Sequence, residues 1–132
     1  PLDKAIDIGA IVDPVQRDRI AAMVAAGEAE GAEVFRAPGP LPSRGCFYPP
    51  VLVTGLAPAS ALMQEEIFGP VLVSTTFRTP AEAAALANDT RYGLAASIWS
   101  ENVNLALGLA PSANARAAAR VMPRPPPAVP FA

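Results

Sequence analysis

The sequence contains no histidine, which excludes chemistry that needs imidazole as a base or metal ligand. It has one cysteine, Cys46, so an internal disulfide and a thiolate zinc site are both excluded. Charge is sparse and nearly balanced. A net charge of -2 gives no strong field to recruit nucleic acid or an anionic membrane. Hydrophobic residues reach 52%, but much of this is alanine, and no stretch approaches the roughly 20 apolar residues of a bilayer span. A charged-then-apolar leader is also missing, so the expected setting is cytoplasmic. The first residue is Pro1 rather than methionine, and that end is expected to be a cut edge.

What is present suffices for one domain of 132 residues. Asp13-Pro14 predicts a helix start, with Asp13 as cap and proline in the first helical position. Ile20, Met23, Val24 and Gly27 recur at helical spacing, and Gly31 is the expected stop. Short strands are expected at residues 32–35 and 51–53, separated by a loop carrying Pro38, Gly39, Pro40 and Pro42. One helical turn is expected at residues 59–64. Residues 71–77 predict the best strand, with Val71, Val73, Thr75 and Phe77 on one face. Thr79-Pro80-Ala81-Glu82 forms a capping box that opens a helix running to about Asn88. Residues 94–99 are apolar on both faces, which suits a strand buried between helix layers. Ser100 is expected to cap a last helix, with Val103, Ala106, Leu107 and Ala110 inward. This alternation predicts an α/β fold with parallel strands alternating with helices.

The character changes at Pro111. Residues 111–132 hold no acidic residue, three arginines (Arg116, Arg120 and Arg124), and prolines at 123, 125, 126, 127 and 130. The whole chain has 16 prolines, more than twice the usual ~5%. The expected organisation is therefore a domain over residues 1–110 and a proline-rich, disordered tail over 111–132 that continues no sheet. The three arginines lack aromatic interleaving, so nucleic-acid binding is set aside.

Three segments carry a resemblance. Gly45-Cys46-Phe47-Tyr48-Pro49-Pro50-Val51-Leu52 resembles a glycine-aromatic-aromatic-x-x-Pro stretch that leads into a strand. Glu65-Glu66-Ile67-Phe68-Gly69-Pro70-Val71 reproduces a Glu-Glu-x-Phe-Gly-Pro motif, the most specific of the three. Asn88-Asp89-Thr90-Arg91-Tyr92-Gly93-Leu94 matches an Asn-x-Thr-x-Tyr-Gly-Leu turn. In this order and spacing they are similar to the aldehyde dehydrogenase family, over Pro1 to about Ala110. The wording Ala57-Pro58-Ala59-Ser60 and Phe77-Arg78-Thr79-Pro80-Ala81-Glu82-Ala83 resembles the family-16 branch.

The resemblance implies an oxidoreductase that turns an aldehyde into its carboxylic acid with NAD or NADP as acceptor, in a homo-oligomer. A cysteine thiolate attacks the aldehyde, the adduct passes a hydride to nicotinamide, and a glutamate helps water release the acid. Glu66 corresponds to the carboxylate that accepts hydrogen bonds from the nicotinamide-side ribose, and Phe68 to the residue bordering the ring. By themselves, Glu65 and Glu66 read equally as two solvated charges on a turn. The Tyr92-Gly93 turn reads as architecture, with Gly93 expected in a conformation that other residues resist and Asn88 closing the helix. Cys46 is not the nucleophile, which follows a Gly-Gln-x-Cys segment in the family. It replaces an aromatic at a strand entry, and only Arg44 is near enough in sequence to lower its pKa.

No catalytic residue is thus expected in this chain. As an isolated fragment it is expected to be inactive and to bind no cofactor alone. The break after Ala110 suggests an alternative exon or reading frame. The competing reading is a non-catalytic interaction protein. Arg124-Pro125-Pro126-Pro127-Ala128-Val129-Pro130 has the Arg-x-x-Pro-x-x-Pro pattern that docks as a polyproline helix in an SH3-type groove.

Overall fold

The computed structural model describes Ile6, residues 8–114 and the backbone of residues 117–121. Two compact units divide the chain, residues 1–76 and 77–132. No helix among the described residues is long and apolar enough to cross a membrane.

In the first unit, helix α1 spans Pro14–Ala29, and Asp13 caps it as its sequence predicts. The Asp13 carboxylate accepts the Gln16 backbone N–H at 2.7 Å, while Pro14 occupies a position whose missing N–H costs nothing. Gly31 ends the helix at a φ of 96°, a conformation that favours glycine. The helix buries Ile20, Val24 and Gly27. A Cβ on Gly27 would overlap Leu62 of the short helix α2, Ala61–Gln64, so the glycine is what lets the two helices approach.

Strands β1 (Glu33–Arg36), β2 (Val51–Thr54) and β3 (Val71–Val73) form one sheet in that order. β1 pairs antiparallel with β2, and β2 pairs parallel with β3. The connection from β1 to β2 contains no helix, and a helix-free return is ordinarily antiparallel. The path from β2 to β3 passes through α2, which makes the parallel crossover. Val51 and Val53 point to the buried side, where they form a core with Val24 and Leu62. Complete burial of each such side chain stabilises by roughly 1.5–3 kcal/mol. Leu52 points to the opposite side, where with Phe35 and Leu72 it lines an open depression of about 590 Å³.

The strand expected over residues 71–77 stops at Val73. Its last rung is the Ser74 N–H donating to the Val53 carbonyl at 2.9 Å. Beyond that, β2 ends, and Gly55 at a φ of 79° turns the partner strand away. Thr75 and Phe77 therefore have no ladder to join, and Phe77 is exposed.

In the second unit, helix α3 covers Pro80–Asn88, with the Thr79 hydroxyl accepting the Glu82 N–H at 3.1 Å. The Glu82 carboxylate reaches back to the Arg78 N–H at 2.7 Å, one residue earlier than a capping box closes. Strand β4 (Ala96–Ser100) is followed by helix α4 (Val103–Leu109) and a 3-10 turn at Ala110–Ser112. The cap of α4 is Asn102 rather than Ser100: its carboxamide oxygen accepts from Asn104 and Leu105 at 3.1 and 3.2 Å. Ser100 stands two residues before the cap, its hydroxyl accepting the Asn102 N–H at 3.0 Å. Of the residues expected inward on α4, Ala106 is buried, whereas Val103 and Leu107 are exposed.

Strand β5, Ala117–Val121, lies parallel to β4. This corrects the expectation that nothing after Pro111 continues a sheet. The crossover through α4 makes a parallel return possible, and the prolines that bar a ladder begin only at Pro123. The division expected after residue 110 falls inside the 3-10 turn. Residues 122–132, with the proline run and the Arg124–Pro130 pattern, lie outside the described residues, as does Arg116.

Candidate functional site

The loop between α2 and β3 carries Glu65 to Pro70. Glu65 closes α2, its N–H donating to the Ala61 carbonyl at 2.8 Å. Glu66 is exposed, and half-buried Ile67 packs against the core. Phe68 is 70% exposed. It has a φ of 53°, the one positive value at a non-glycine among the described residues. For an aromatic residue that conformation costs roughly 1–2 kcal/mol.

The compensation comes from α1. The Gln16 carboxamide nitrogen donates to the Ile67 carbonyl at 2.9 Å and to the Phe68 carbonyl at 3.3 Å. Each bond contributes about 0.5–1.5 kcal/mol net, so the pair roughly offsets the backbone strain. One helical turn further on, a Cβ at Gly69 would overlap the Ile20 side chain. The glycine lets the loop lie directly on α1. Pro70 then sits at the centre of a tight turn in which the Val71 N–H donates to the Gly69 carbonyl at 2.8 Å. The Pro70 carbonyl accepts the Val51 N–H at 2.9 Å, which joins the loop to the sheet. Glu66 and Phe68 are therefore held between two anchored ends.

The segment at residues 45–52 has a packing role. Cys46 is a free, half-buried thiol, and its carbonyl accepts the Ile11 N–H at 2.6 Å. Tyr48 packs against the core, and burial pushes its phenol pKa up.

The Asn88–Leu94 turn is also architectural, for a different cause from the one expected. Gly93 has no positive φ. A Cβ there would lie 2.6 Å from the Asn114 carbonyl oxygen, so close backbone approach selects the glycine. Asn88 is the last residue of α3, and Asp89 caps it. The Asn88 carboxamide instead grips the later chain, donating to the Ser112 carbonyl at 2.7 Å and accepting the Asn114 N–H at 2.8 Å.

Sequence reasoning missed Gln16 and Asn114. Gln16 follows a recognisable cap, but nothing local ties it to carbonyls 51 and 52 residues away.

A mixed α/β sheet unit presenting a Glu-Glu-x-Phe-Gly-Pro loop is the catalytic-domain architecture of one group of oxidoreductases. The chain belongs to the aldehyde dehydrogenase family, whose model matches residues 1–119. It is 43% identical over 112 residues to aldehyde dehydrogenase B of Escherichia coli (strain K12), covering 80% of this chain and 22% of that protein. It is 38% identical over 110 residues to 2-aminomuconic semialdehyde dehydrogenase of Danio rerio, covering 78% and 23%. The crystal structure of NAD-dependent aldehyde dehydrogenase from Sinorhizobium meliloti superimposes with a TM-score of 0.83 at 37% identity, over 89% of this chain and 24% of that one. The chain spans less than a quarter of the length of these relatives. The family match also runs past residue 110 and into β5.

Proposed function

We propose that this chain supplies the nicotinamide-side half of a dinucleotide site in an NAD(P)-dependent oxidation of an aldehyde to its carboxylic acid. The observation that carries the reading is Phe68, an exposed aromatic held at a φ of 53° by a loop fixed at both ends. Strain and apolar exposure maintained together suit the presentation of a ring to a flat ligand. Glu66, exposed two residues earlier, offers a carboxylate whose lone pairs can accept hydrogen bonds from two adjacent sugar hydroxyls. When bound, the dinucleotide is the hydride acceptor. The chain's own residues bind and orient it, and orientation provides much of the rate in such reactions.

No catalytic nucleophile is assigned within these 132 residues. Cys46, half-buried at a strand entry, serves packing, and the isolated polypeptide turns over no aldehyde. Fluorescence titration with NADH, on the protein in its natural full length, tests the site. Glu66→Gln and Phe68→Ala should each weaken binding at least tenfold. Unchanged affinity in both variants overturns the reading.

A further inference from the structure

We infer that Gln16 is a positioning residue for the dinucleotide loop, setting the conformation of Phe68 from outside the loop. The inference rests on the site reading given above. Its physical basis is local. The Ile67 carbonyl lies in the peptide plane before the Phe68 Cα, and the Phe68 carbonyl lies in the plane after it. Because peptide units are planar, fixing those two carbonyls fixes both backbone dihedrals of Phe68 and hence the direction in which its side chain leaves the backbone. One carboxamide can do this because its nitrogen carries two hydrogens, and the two contacts measure 2.9 and 3.3 Å.

Gln16 is itself held. Its backbone N–H is the one that Asp13 caps, at 2.7 Å, so the helix start fixes where the carboxamide stands. One turn along the same face, Ile20 seats Gly69 and sets the height of the loop over the helix. A chain of short contacts thus runs from Asp13 through Gln16 to the strained residue of the proposed site.

The test uses the natural-length protein with Gln16→Met, close in length but without donors, and Gln16→Glu, which turns acceptors toward two carbonyls. Arg17→Ala serves as control, because that side chain pairs with Asp18 on the surface at 2.8 Å. Hydrogen exchange of peptides covering residues 64–72 should accelerate at least tenfold in both Gln16 variants, more in Gln16→Glu, and stay unchanged in the control. Exchange in β1 and β2 should not change, which separates a loosened loop from general unfolding. NADH affinity should fall at least tenfold in parallel. Unchanged loop exchange, or accelerated exchange with wild-type NADH affinity, overturns the inference. Wild-type NADH affinity in Glu66→Gln and Phe68→Ala overturns the site reading instead, so the two failures are distinguishable.

Discussion

Residues 1–76 bury Ile20, Val24, Val51, Val53 and Leu62, whereas among the described residues of 77–132 the comparable hydrophobic is Ala106. In the first unit α1 lies on a three-stranded sheet, and the side chains between them lose nearly all contact with water. In the second, α3 buries no residue, and β4 alternates half-buried with exposed positions. Leu94 is 89% exposed and Trp99 57%, although residues 94–99 carry the two-sided apolar pattern of a strand covered on both faces. Among the described residues the first unit holds its shape by packing, and the second by the β4–β5 ladder, caps and side-chain clamps. Substitutions should therefore be felt most in the first unit.

The largest effect is expected at Ile20, which is fully buried. Ile20→Ala should cost about 2–5 kcal/mol in urea denaturation, the range for truncating a buried aliphatic side chain. The same residue fills the space above Gly69, so Gly69→Ala alone should also destabilise. Combined with Ile20→Ala it should cost less than the sum, with a coupling of roughly 0.5–3 kcal/mol for residues in direct contact. Strict additivity would break the picture of a loop seated on α1.

The parts legible in the sequence are those decided within a few residues. Asp13-Pro14, Gly31 and Thr79-Pro80 mark helix ends by chemistry that acts across three or four positions, and each stands where its residue type predicts. Reading fails where a distant partner decides. The length of β3 depends on where β2 ends, at Thr54, and on the turn at Gly55. Ser100 and Asn102 are both good caps, and only the path of the chain selects the second. Gly93 was legible as an obligatory glycine, but its cause, the Asn114 carbonyl, lies 21 residues on. The loop at residues 65–70 is legible as a motif through its resemblance to the family. Its strain at Phe68 is not, because aromatic residues give no sign of a positive φ, and Gln16 is tied to the loop only by the fold.

In the second unit the clamp is the test. Asn88→Ala removes bonds to the Ser112 carbonyl and Asn114 N–H. Both groups are exposed and water replaces the lost partners, so the expected cost is about 1 kcal/mol. Faster exchange at the Asn114 amide, with the first unit unaffected, would sharpen the contrast. A loss as large as that of Ile20→Ala would break it. Thr79→Ala deletes the cap of α3 and should cost about 1 kcal/mol or less, read as helix signal lost at lower temperature.

The smallest expected effect is a pH dependence confined to the first unit. Partial burial pushes the Tyr48 phenol pKa up; the Arg36 charge opposes this and the Glu28 charge adds to it. A raised native pKa means that the folded state holds the proton more tightly than the unfolded one. This contribution to stability is complete below the unfolded tyrosine value of ~10, and it is lost as pH rises through the native value. Urea midpoints should fall as pH rises above about 10 and through the raised native value, and Tyr48→Phe should flatten that slope. Tyr48 keeps substantial contact with water, so the change is modest beside the loss of Ile20. The alkaline slope tests whether the core side of β2 is dry enough to resist a charge. If Tyr48→Phe leaves the slope intact, the phenol is solvated and the contrast in burial between the units is smaller than their side chains indicate.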